Sequence, residues 1–151
     1  MTIALPSSSL RHRLFRGGVT LSPLEAAALE ALAEHLPTSL APCLTVQFGA
    51  INLIQRDPDW LETRFYRLEG GRLSSGHLPR LPVTPGEVKL LSLVIRQATA
   101  DKPLHTNFWA VDGVFFMMNF GRSAKPLASL RAPLISDVEH SWRSNLHSGG
   151  A

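Results

Sequence analysis

The chain has 151 residues, 44% of them hydrophobic and 18% charged, with a formal net charge of +3. That length suits a single domain, and that balance excludes wholesale disorder, which needs low hydrophobicity and high net charge. The single cysteine, Cys43, excludes a framework of internal disulfides.

Residues 1–21 read as a flexible basic arm. They hold Arg11, His12, Arg13 and Arg16 beside Ser7-Ser8-Ser9 and Gly17-Gly18, and no acidic residue. Met1–Ser9 lacks an apolar run of signal-peptide length and is broken by Pro6. The densest apolar stretch, Phe108–Phe120, is interrupted by Asp112-Gly113 and Asn119. It falls well short of the roughly 20 residues a membrane span needs. The expectation is a cytoplasmic protein without membrane contact.

A first helix is signalled over Leu24–Leu36. Ser22 suits the N-cap, Pro23 the first helical position, and Glu25 completes a capping box at N3. Leu24, Ala28, Leu32 and Leu36 repeat every four residues, and Pro37 ends the run. Cys43–Gln55 then reads as a strand, because Leu44, Val46, Phe48 and Ala50 alternate with Thr45, Gln47 and Gly49. Asp57-Pro58-Asp59 is a turn, and Leu61–Leu68 is the returning strand of a first hairpin.

Glu69–Val83 is a long connection rich in Gly, Ser and Pro. A second helix is expected over Val88–Ala98, with Thr84 as cap, Pro85 at N1 and Glu87 at N3. Leu104–Phe120 reads as a second hairpin about Asp112-Gly113, a favoured two-residue turn. Unbroken pairing from that turn sets Val111 against Val114, Trp109 against Phe116, Asn107 against Met118 and His105 against Phe120. Ser136–Leu146 closes the domain as a short helix capped by Ser136.

These elements give an α+β fold, a small antiparallel sheet of two β-hairpins with two or three packed helices. Residues 22–147 form the domain and 148–151 a disordered tail. The likeness of Ser22-Pro23-Leu24-Glu25 to Thr84-Pro85-Gly86-Glu87 admits a tandem αββ repeat, although it is confined to the caps.

No segment carries a reaction signature. Cys43 stands between Pro42 and Leu44 with no basic residue near it, as a packed core thiol would. No two histidines have the H-x-x-x-H spacing of a metal site. Gly70–His77 has the glycines and hydroxyls of a phosphate loop, but a proline run separates it from the next helix cap. No cofactor, metal or catalytic set is assigned.

The feature left over is the hairpin, which carries aromatics or Met on both faces, whereas a hairpin with one wet face should alternate. Exposing Phe108, Phe115 and Met117 would forgo roughly 1.5–3 kcal/mol each. These three are assigned to a partner surface, and Trp109, Phe116 and Met118 to the core. The expectation is a non-enzymatic protein-binding module of chaperone, adaptor or toxin-neutralising type, binding another protein or a second copy of itself. Its element order, helix–hairpin–helix–hairpin–helix, resembles that of small secretion chaperones and some toxin-neutralising proteins, with no shared motif. Two alternatives stand beside it. One is a nucleic-acid-binding domain using Arg11, Arg13 and Arg16, and the other an enzyme with a dispersed site.

Overall fold

A computed structural model of the chain describes residues 21–74, 76–97, 102–130 and 133–146. The basic arm and the tail expected at the termini lie outside the described residues, apart from Leu21. No helix among the described residues is long and apolar enough to cross a membrane.

The first element among the described residues is helix α1 (Pro23–His35). Its start follows from local chemistry. The Ser22 hydroxyl accepts from the Glu25 amide, the Glu25 carboxylate accepts from the Ser22 amide, and Pro23 has no amide to satisfy. Helix α2 (Ala41–Gly49) follows a single 3-10 turn. Then come strands β1 (Leu53–Arg56) and β2 (Glu62–Tyr66) and a two-residue hairpin, β3 (Leu68–Glu69) with β4 (Arg72–Leu73). The second half is strand-rich, with β5 (Glu87–Arg96), β6 (Leu104–Val111), β7 (Val114–Phe120) and β8 (Leu134–Glu139), and ends in a 3-10 segment, Ser141–Asn145. Six strands form one antiparallel sheet in the order β1-β2-β7-β6-β5-β8.

The expected order helix–hairpin–helix–hairpin–helix is therefore wrong, and three elements account for it. Cys43–Gln55 begins as a helix, not a strand. Leu44, Phe48 and Ile51 are fully buried while Val46 is half exposed, so helical spacing prevails over alternation. Val88–Ala98 is not a helix, since Val88–Arg96 lies in β5. Gly86, at the would-be second helical position, has φ +87°, which ends a right-handed helix before it begins. The Thr84 amide donates to the Asn145 carbonyl rather than starting a turn. β5 is flanked by β6 and β8 and buried for most of its length, hence the apolar residues that dominate it between Val88 and Ile95. Ser136–Leu146 splits into the end of β8 and the 3-10 segment, with Asp137 at φ +50° where the β5–β8 register shifts. The tandem αββ arrangement and the resemblance in element order fall with them.

β2 and the β6–β7 turn are where the sequence placed them. Asp57 fixes the first turn by accepting from the Asp59 and Glu62 amides. Asp112-Gly113 makes the second, both residues at positive φ. A side chain at Gly113 would set its Cβ 2.6 Å from the Leu81 carbonyl oxygen, so this turn is pressed under the 77–86 connection. The hairpin register departs from unbroken pairing. Ala110 pairs with Phe115, but Trp109 pairs with Met117 and Phe108 with Met118. Phe116 is the extra residue of a β-bulge, and every later β7 residue moves on by one.

Both helices pack on the sheet face that carries Ile54, Phe65, Phe108, Phe115 and Met118. Phe115 is the hub of that core, its ring centroid 5.6 Å from that of Phe48 on α2, 5.1 Å from Phe65 and 6.4 Å from Phe108. Buried Glu25 ties α1 to the sheet edge, accepting from Arg56 on β1 and from the Thr63 hydroxyl on β2 at 2.8 Å.

Candidate contact face

Pairing across the sheet builds two rows on the face turned away from α1 and α2, which is helix-free among the described residues. One runs Arg64, Met117, Trp109, Lys89 across β2, β7, β6 and β5. The other runs Glu62, Asn119, Asn107, Ser92 and on to Glu139 of β8. The Trp109 indole N–H joins the rows, donating to Asn119 Oδ1 at 3.0 Å, and within the second row the Ser92 hydroxyl donates to Asn107 Oδ1 at 2.7 Å. Lys89 Nζ lies 5.6 Å from the Trp109 ring centroid, on its face, and Arg64 pairs with Glu62 at 2.9 Å. Trp109 is thus held in one orientation, its edge tied and one face under a cation. Met117, Val94 and Val114 are buried yet stand outside the cluster that forms the main core.

This geometry redistributes the residues assigned from sequence. Phe108 and Phe115 are fully buried in the helix-covered core, so they are not a surface. Met117 is on the helix-free face, brought there by the bulge at Phe116. Trp109, assigned to the core, is half-buried beside it. Met118 belongs to the core as expected. A usable signal was present in β6, where Trp109 alternates in phase with His105 and Asn107, whereas Phe108 is in phase with Leu104 and Ala110. Arg64 and Lys89 escaped notice because the cross-strand row needs β5 to be a strand. Arg11, Arg13 and Arg16 lie outside the described residues.

At one end of this face β2 and β7 part, and polar side chains replace the missing ladder. Gln47 Oε1 accepts from the Phe115 amide at 2.9 Å, and its Nε2 donates to the Gly113 and Pro79 carbonyls. Arg67 donates to the Phe115 carbonyl at 2.8 Å and twice to the Gln47 carbonyl in the last turn of α2, where a cation suits the helix dipole. Burial pushes the Arg67 guanidinium down to about 10, which leaves it charged at neutral pH. Cys43 sits nearby, its thiol against the Pro79 carbonyl and the Gln47 amide. Burial raises its pKa, with the Gln47 hydrogen bond opposing, which disfavours the thiolate.

Among the described residues no group of three or more His, Cys, Asp or Glu is placed to hold a metal ion. No family model matches the chain, and neither the curated proteins nor the solved structures contain a match.

Proposed function

We propose that the chain is a protein-binding module of chaperone, adaptor or toxin-neutralising kind whose contact surface is the helix-free sheet face centred on Trp109. The observation that carries this reading is the row Arg64–Met117–Trp109–Lys89, in which a fixed, half-buried indole stands beside a buried thioether and between two cations, on a face with no described helix against it. Trp and Arg dominate the energetics of protein interfaces, and a pre-oriented side chain loses less entropy on binding. The flanking cations favour a partner with acidic residues around an apolar centre. Charge supports a protein partner over nucleic acid for the folded body. Arg11, Arg13 and Arg16 account for the whole surplus of three, and Asp101 and Arg131, also outside the described residues, cancel.

Replacing Trp109 tests this. Trp109→Ala should leave the fold intact, because the indole stands outside the main core, and should weaken partner binding by about 2 kcal/mol or more. Affinity purification from the native cell with quantitative mass spectrometry should show a stoichiometric protein partner with the unaltered chain and its loss with the variant. A partner retained equally by both would remove Trp109 from the interface.

A further inference from the structure

A groove of about 270 Å³ opens where β2 and β7 diverge, lined by Phe65, Tyr66 and Arg67, by Leu73 and Ser74 of the small hairpin, and by Val111, Val114 and Phe116. Its walls are mainly apolar, and two rim side chains are poorly covered, Leu73 being 67% exposed and Val111 36%. Arg67 is only 7% exposed and contacts backbone carbonyls alone, with no Asp or Glu paired to it among the described residues. A guanidinium has five N–H groups, and three are engaged here. A buried cation normally has an anion beside it, and this one has only dipoles.

We infer that this groove binds a small carboxylic acid with an unbranched apolar chain, its chain against Phe65, Leu73, Val111 and Phe116 and its carboxylate towards Arg67. The volume lies at the small end of ligand pockets, which fits a medium-length acyl chain and not a whole lipid. Apolar walls with one convergent charged group are the usual make-up of such a site. This inference stands whether or not the helix-free face meets a protein.

Tyr66 is the only tyrosine in the chain, so a tyrosine-labelled sample places a single NMR reporter in the groove. Titrating the full chain with decanoate below its micelle concentration should shift the Tyr66 ring resonances saturably. Decanol should bind about tenfold more weakly or worse, since it lacks the charge-assisted bond. Leu73→Glu, on the exposed rim, should keep the fold and abolish the shift. An unmoved Tyr66 signal, equal binding of decanol, or unchanged affinity in Leu73→Glu would each overturn the inference.

Discussion

Phe115→Asp should leave the chain without a cooperative melting transition. The ring is fully buried and meets Phe48, Phe65 and Phe108. Removing a buried aromatic side chain costs about 3–5 kcal/mol, and a carboxylate with no partner in that core adds further cost. Domains of this size are stable by only about 5–15 kcal/mol. Circular dichroism and thermal melting check this. A folded Phe115→Asp variant would mean that the core lies on the other face of the sheet.

Glu25→Ala should be the most destabilising change at any polar position. The Glu25 carboxylate is 1% exposed, and the Arg56 side chain paired with it 10%. The same group accepts from Thr63 and from the Ser22 amide. Its removal breaks a buried ion pair and a capping box together, a loss of about 3–5 kcal/mol. At this chain length that lowers Tm by about 10 °C or more. Glu25→Gln should lose less, because an amide oxygen still accepts from Ser22 or Thr63. A Tm within a few degrees of the parent in Glu25→Ala would show that the pair does not join α1 to the sheet.

What the sequence made legible was what depends on neighbouring residues. The Ser22–Glu25 capping box and the Asp112-Gly113 turn need only a few consecutive residues, and both are present as read. The errors arose where two periodicities fit the same run. Leu44, Val46 and Phe48 satisfy alternation, while Leu44, Phe48 and Ile51 satisfy a helix, and only burial of Ile51 with exposure of Val46 separates them. Val88–Arg96 does not alternate cleanly, because the register shifts between Lys89 and Leu91 around buried Leu90 and because Val94 is buried on the face that Lys89 and Ser92 share, so the run has no single period to read. The cap signature at Thr84 was present but unused, since Gly86 turns the backbone into the left-handed region.

The candidate contact face was half legible for a related reason. Met117 was recognised as a residue without a place in the core, but its neighbour in the row is Trp109, not Phe115. The Phe116 bulge shifts the register by one residue, and a one-residue shift exchanges the two faces of a strand. No single-residue signal marks that bulge. Lys89 and Arg64 reach the row only through the assembled sheet, and Arg67 and Gln47 matter only because β2 and β7 separate there.

Site-specific photo-crosslinking is the most direct test of the proposed partner contact at the helix-free face. A photoreactive amino acid replaces either Arg64, on β2 in the Trp109 row, or Glu34, exposed on the outer side of α1. Illumination in the native cell should give a discrete protein adduct from position 64 and none from position 34. Adducts from position 34 with none from position 64 would place the interface on the helices and contradict the account.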